Sequence, residues 1–251
     1  MPSSFEAFAA LHRPGDPVIL YNIWDPGSAR AVAAAGAKAL ATGSLPVGDA
    51  AGFGDGQKVP IDFVMDNARR IVAAVDLPLT VDFESAYSVD PEEGGANVAR
   101  LKSAGAVGCN FEDQVIGGEG LHPLELQCRR IGAIREAVGD DFFINARTDL
   151  LLKTQDHGDS LIDEVVERGK AFADSGASGF FVPRLSDARQ IERVVREVPL
   201  PLNVIAFPGA PPNRDWANAG VARISYGPFP HRELMTMLED KARAALNSLR
   251  G

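Results

Sequence analysis

Cysteine is nearly missing from this chain, with two in 251 residues. Cys109, in an apolar strand-like run, and Cys128, in a helical pattern, match neither a disulfide framework nor a zinc spacing, so both are expected to be buried thiols. Positive charge is also short: 25 Lys and Arg against 34 Asp and Glu leave a formal charge of -9. That balance argues against a nucleic-acid partner, because such binders carry a basic patch or a high pI. No apolar run approaches the ~18 residues of a membrane span, and "MPSSFEAFAALHRPGD" lacks a basic segment followed by an apolar one. No membrane attachment and a cytoplasmic location are expected. No G-x-G-x-x-G leads from a strand into a helix, and the turn after the first strand reads "NIWDPGSA". A doubly wound nucleotide-binding sheet therefore lacks its signature. The glycine-rich "VGDAAGFGDG" (47–56) lacks the P-loop Lys-Ser/Thr and is read as a flexible loop.

What the chain does have is alternation. Eight short apolar runs bounded by turn residues read as strands, at 17–22, 38–43, 78–84, 106–112, 141–147, 178–184, 201–207 and 221–227. Most look buried on both faces. Helical patterns lie between and after them, at 27–35, 60–75, 91–104, 123–138, 158–175, 187–197, 212–219 and 229–249. The segments around Gly36, Gly105, Gly176 and Gly220 repeat an A-G-A or A-G-V theme, with S-G-A at Gly176, before strands two, four, six and eight, where a glycine can end a helix. One βα unit per ~25 to 35 residues, repeated eight times, is the count and size of a single-domain (β/α)8 TIM barrel over 1–251.

In such a barrel chemistry gathers at the carboxyl ends of the strands. The third strand ends "VDFESAY", with Asp82 and Glu84 at i and i+2, which alternation would send to one side. Asp55 lies in the loop after strand two and Glu112 at the end of strand four, so four carboxylates converge. Like charges so close call for a counterion, and an oxygen-only set favours a hard cation, Mg2+ or Mn2+, with Asp82 the candidate direct ligand. Arg147 closes strand five, and a guanidinium there needs an anion, either a protein carboxylate or a substrate carboxylate. Asp113 and Asp149 are read as helix caps or partners of neighbouring charges. Trp24 is read as a wall. None of His12, His122, His157 and His231 is assigned as a general base, although His122 follows strand four.

Taken in order, "ATGS" to "GFGDG", "VDFESAY", "NFEDQ", "INARTD" and "FVPRLSD" to "PLNVIAFPGAP" resemble the isocitrate lyase and phosphoenolpyruvate mutase superfamily over nearly the whole chain. The resemblance implies a (β/α)8 barrel whose last helix, here 229–249, is exchanged between subunits of a homodimer or homotetramer. It implies Mg2+ held directly by Asp82, with Asp55, Glu84 and Glu112 partly through water. It also implies that the backbone of Gly43 and Ser44, or of Thr42 one residue earlier, binds the carboxylate of an α-oxo acid. Arg147 would bind substrate, and Tyr21, Trp24 and Asn203 would line its pocket. The chain departs from the pattern after strand four, where "EDQVIGGEGLHPLE" carries neither the K-K-C-G-H loop of the lyases nor the Lys and Asn of the mutases. Pro183 and Arg184 stand near where some relatives place a histidine.

The activity implied is a Mg2+-dependent lyase that breaks a carbon-carbon bond of a small α-oxo or 2-hydroxy di- or tricarboxylate through an enolate. It would resemble an isocitrate or methylisocitrate lyase, or an oxaloacetate decarboxylase. Phosphonopyruvate or phosphoenolpyruvate chemistry at a phosphorus-carbon bond is the enzymatic alternative, and α-oxo acid binding without turnover is the alternative of another class.

Overall fold

A computed structural model describes residues 4–152, 154 and 157–248. The strands are β1 (Val18–Leu20), β2 (Leu40–Ala41), β3 (Leu79–Asp82), β4 (Gly108–Glu112), β5 (Phe143–Arg147), β6 (Gly179–Phe181), β7 (Leu202–Ile205) and β8 (Arg223–Ser225). The helices are α1 (Ser4–Ala9), α2 (Pro26–Ala34), α3 (Ser44–Ala51), α4 (Ile61–Ala74), α5 (Pro91–Ser103), α6 (Leu124–Val138), α7 (Asp159–Asp174), α8 (Ala188–Glu197), α9 (Asn213–Asn218) and α10 (Phe229–Asn247). All strand pairs are parallel, in the order β1-β8-β7-β6-β5-β4-β3-β2. Between β1 and β2 the ring is drawn together just past the strands. There the Ile23 amide donates to Ala41 O at 2.9 Å, and Gly43 donates to Ile23 O at 3.2 Å. The result is a nearly closed (β/α)8 barrel with helices between its strands, the fold expected from the alternation.

Each of the eight predicted strands contains an observed one, and each of the eight predicted helices matches an observed helix to within two residues at either end. The last, predicted as 229–249, ends at Asn247, and residues 249–251 lie outside those described. Gly36, Gly105, Gly176 and Gly220 all take φ between +93° and +99°. That conformation strains any residue with a Cβ, and it lets α2, α5, α7 and α9 stop and turn into the next strand.

Two helices were not expected. α1 lays Phe8 against Val18, Leu20, Ala39, Val107 and Phe143, and so seals the amino-terminal end of the barrel. α3 occupies the first half of the segment read as a flexible loop. The expectation fails there because Pro46, in the first turn, needs no hydrogen bond from its nitrogen. Gly52, at φ +79°, then ends the helix, so the glycine-rich turn begins only after it. Cys109 is buried, as expected, but Cys128 is only half-buried, its thiol facing Ala171 O at 3.7 Å. Among the described residues no helix is long and apolar enough to cross a membrane.

Candidate active site

With α1 closing one end, the opening lies at the carboxyl ends of the strands. A cavity of about 340 Å³ sits there, within the size range of ligand pockets. One side is polar, with Asn22, Ser44, Asp55, Asp82, Asn110, Arg147 and Ser225. The other is largely apolar, with Phe181, Pro183, Ile205, Phe207, Pro228 and Phe229, interrupted by Arg184.

Asp82 is the last residue of β3 and points into this cavity. Its Oδ2 accepts from the Ser44 amide at 3.1 Å, and its Oδ1 from Asn110 Nδ2 at 3.3 Å. Its own amide donates to Thr42 Oγ1 at 3.1 Å, tying β3 to the start of α3. Alternation explains the direction of Asp82 but not that of Glu84, because the strand has ended and Glu84 takes φ +49°. Both Glu84 carboxylate oxygens accept from the Gln57 amide, at 2.8 and 3.0 Å, so Glu84 holds the loop that carries Asp55. Burial first, then the neighbouring Asp82 charge, push the Glu84 carboxyl up to about 7, with Asp55 adding and the Gln57 amide opposing.

Across the mouth, Arg147 finds its anions within the protein. Nη1 lies 2.9 Å from Glu112 Oε2, while Nε and Nη2 fork onto Asp149 at 2.5 and 2.9 Å. Asp149 is fixed in turn, its amide donating to Asp113 Oδ1 at 2.9 Å, and Asp113 Oδ2 faces Arg168 Nη1 at 3.2 Å. Asp113 and Asp149 thus pair with neighbouring groups. Burial opposes the Arg147 charge, but Glu112, Asp149 and Asp82 more than offset it and raise its pKa. Burial pushes Glu112 up to about 8. Arg147 pulls it down, while Asp149, Asp82 and Glu84 push it further up. Two buried carboxylates, Glu112 and Asp149, therefore share the Arg147 guanidinium, with Asp82 acting on it through its charge alone.

Gly43 and Ser44 lie at the amino terminus of α3 on the cavity wall. Their amides are engaged, Gly43 by Ile23 O and Ser44 by Asp82. The helix has no side-chain cap, so among the described residues the first-turn amide of Leu45, on the cavity wall, is the one left for an anion. Thr42 is buried and faces Asp82. Tyr21 and Trp24 do not line the central cavity. They face a second, outer cavity between α2 and Leu234 of α10, where Trp24 also meets His231 edge-on at 4.8 Å. Asn203 is fully buried beneath the cavity and accepts from Asn145 Nδ2 at 3.0 Å.

Asn203 belongs to a polar layer inside the barrel that the sequence reading did not assemble. Arg223 Nη2 and Asn145 Nδ2 both donate to Asn110 Oδ1, at 3.0 and 2.8 Å, while Asn110 Nδ2 donates to Asp82. A buried arginine is thereby linked to the candidate metal ligand through one amide. The visible signal is a polar residue inside each of four apolar runs, in "GCNFE", "FINAR", "PLNVI" and "VARIS". Asn22 is a further polar residue of this kind, at the end of the first apolar run. It pins the seam, accepting from the Tyr226 and Gly227 amides at 2.9 and 2.7 Å and donating to Thr42 O at 2.8 Å.

Among the described residues no three His, Cys, Asp or Glu side chains stand together as a complete metal shell. Mg2+ keeps several waters and takes only one or two carboxylates directly. Asp82 fits that role: each of its oxygens receives a single bond longer than 3 Å, which leaves lone pairs toward the cavity. Asp55 lines the same space.

The family profile of phosphoenolpyruvate phosphomutase matches residues 8–246. An uncharacterized protein of Mycobacterium tuberculosis is 33% identical over 95% of this chain and 88% of its own length. A probable 2-methylisocitrate lyase of Corynebacterium glutamicum is 30% identical over 73% of this chain and 61% of its own. The crystal structure of a proposed phosphonomutase from Burkholderia cenocepacia superposes with a TM-score of 0.93 at 42% identity, covering 96% of this chain and 98% of that one.

Proposed function

The chain belongs to the phosphoenolpyruvate phosphomutase family and is an enzyme, and from that premise we propose a divalent-cation-dependent lyase. It cleaves a carbon-carbon bond of a small α-oxo or 2-hydroxy di- or tricarboxylate, leaving the electron pair as an enolate. The observation that carries this reading is the meeting of α3 and β3. The Ser44 amide binds Asp82 while the Leu45 amide stays open beside it, so a hard cation ligand and an anion-accepting amide share one end of the cavity.

Held directly by Asp82, with Asp55, Glu84 and Glu112 acting through water, a Mg2+ or Mn2+ ion would supply Lewis acidity at the oxo and carboxylate oxygens. The chain's own groups do the rest. The α3 amino terminus orients the substrate carboxylate. Arg147, clamped by Glu112 and Asp149, turns its remaining N–H groups to the side where negative charge develops. Phe181 and Phe207 thin the water over the reacting carbons. The loop after β4 closes on itself through a Gln114–Leu121 bridge and brings no Cys or Lys as an acid, which favours a decarboxylation-like cleavage in which water protonates the enolate.

The exposed face of α10 supports an oligomer. Leu234, Met235, Met237, Leu238 and Leu246 are 40% to 78% exposed along this one helix. Such a face supports exchange with a second copy in a homodimer or homotetramer. Phosphorus-carbon chemistry is the second reading, favoured by the 42% identity to a proposed phosphonomutase. Steady-state assays on oxaloacetate, 2-methylisocitrate, isocitrate and phosphonopyruvate with Mg2+ separate the readings. Turnover of one of the first three, lost in Asp82→Ala and on chelation, is expected. Activity that survives exhaustive chelation would overturn the cation-dependent mechanism, and turnover of phosphonopyruvate alone would favour the second reading.

A further inference from the structure

Of the two guanidinium groups on the cavity wall, only one is committed. Arg147 is flanked by Glu112 and Asp149, so its charge is already offset by protein carboxylates. Arg184 makes no ion pair or hydrogen bond among the described residues. Its guanidinium lies over the Phe207 ring, 5.8 Å from the centroid. Its backbone takes φ +72°, a left-handed conformation that costs a residue with a Cβ. The turn is held by Pro183 before it and by the Leu185 amide donating to Val182 O. A strained, unpaired arginine aimed along the apolar wall is poorly explained by stability alone.

Its place in the ring completes the picture. Arg184 follows β6 and Asp82 ends β3, three strands apart in an eight-strand circle and so nearly across the mouth. Beside Arg184 the wall is Phe181 of β6 with Ile205 and Phe207 from the end of β7, while Asn110 of β4 and Arg147 of β5 line the arc toward Asp82. Resting on the proposed function for the Asp82 end, we infer that Arg184 recognises a second anionic group at the far end of the substrate. The substrate class is then an α-oxo dicarboxylate long enough to carry its second acid group to the Phe181 and Phe207 end of the cavity. An arginine fork suits a carboxylate, and stacking on Phe207 keeps that fork oriented.

The test is calorimetric binding to the full-length protein with Mg2+, using equal-length pairs of a diacid and a monoacid: oxaloacetate with 2-oxobutanoate, 2-oxoglutarate with 2-oxopentanoate, and 2-oxoadipate with 2-oxohexanoate. Oxalate, too short to cross the cavity, serves as the probe of the Asp82 end. At least one pair should favour the diacid by about tenfold, the scale of one charge-assisted hydrogen bond. Arg184→Met should erase that preference without changing oxalate affinity or melting temperature, and Arg184→Lys should keep part of it. No diacid preference in the wild type, a preference that survives Arg184→Met, or an equal loss of oxalate binding would each overturn the inference while Mg2+-dependent oxalate binding by the wild type still stands. If the wild type does not bind oxalate with Mg2+ at all, the proposed function falls and this inference falls with it.

Discussion

His12 offers a quantitative check on how the barrel floor is built. Its ring stacks on Phe143, with centroids 4.2 Å apart and planes 22° from parallel, and meets Phe8 edge-on at 4.7 Å. Nδ1 lies 3.0 Å from Phe8 O, and because a carbonyl can only accept, Nδ1 carries the proton. Nε2 is buried with no partner. A second proton there would place charge in an apolar pocket beside Arg223, so burial first, then Arg223, hold the imidazole down at about 3 instead of 6.5. The unfolded chain takes up that proton near pH 6.5 and the folded chain does not. This contribution to stability is therefore complete above pH 6.5 and is lost as pH falls toward 3. Between pH 7 and pH 5 the loss is about 2 kcal/mol by proton linkage. Glu84, Glu112 and Asp113, all with raised pKa values, run the other way and lose stability as pH rises. The measurement is therefore a difference: urea unfolding of wild type and His12→Phe at pH 7 and pH 5. The wild type should lose about 2 kcal/mol more than the variant over that interval. Imidazole nitrogen shifts should also show His12 as the neutral Nδ1–H tautomer at pH 5. A His12 that titrates near 6.5, or two proteins with the same pH slope, would refute the account.

Three further outcomes follow from the geometry. A Cβ added at Gly48 would lie 2.3 Å from Gly54 O, and the Phe53 and Gly54 amides both bond Gly48 O, so Gly48→Ala must push the Asp55 loop off α3. It should cost about 1–3 kcal/mol, the scale of overpacking, and weaken Mg2+ binding, read by thermal melting and calorimetry. Met237→Glu with Leu238→Glu should shift the protein to a smaller species in sedimentation velocity, and unchanged sedimentation would remove α10 as the joining element. Glu84 and Glu112 are held at about 7 and 8, so Mg2+ should bind more tightly as pH rises from 6 to 8 and should release protons on binding. Calorimetry in buffers of different ionisation heat measures that release, and an identical heat in every buffer at pH 7 would contradict it.

Strand and helix positions were legible because they rest on local signals. The glycines at 36, 105, 176 and 220 end helices in a conformation that only their own residue type makes cheap. The apolar runs are strands because both of their faces are covered in a barrel. α3 escaped because its sequence, "SLPVGDAA", joins directly to a glycine-rich turn, and the two together read as loop. α1 escaped because six residues are too few to show a helical period.

The same division holds at the site. The acids at the carboxyl ends of β3 and β4, and the arginine that ends β5, followed from the strand pattern alone, since every parallel strand of a barrel delivers its end to one mouth. Which acid meets which cation did not. The Asp113–Arg168 pair and the Arg223–Asn110 bond join residues far apart in the chain, and only ring closure brings them together. Closure also commits Arg147 to Glu112, turns Glu84 toward Gln57 and, among the described residues, leaves the Leu45 amide open and Arg184 unpaired on an apolar wall. By itself the sequence determined the barrel and the inventory of charges at its mouth, because those depend on each strand's own periodicity. The tertiary structure decided which charges are spent on one another and which remain for a ligand, because that depends on distances no local pattern encodes.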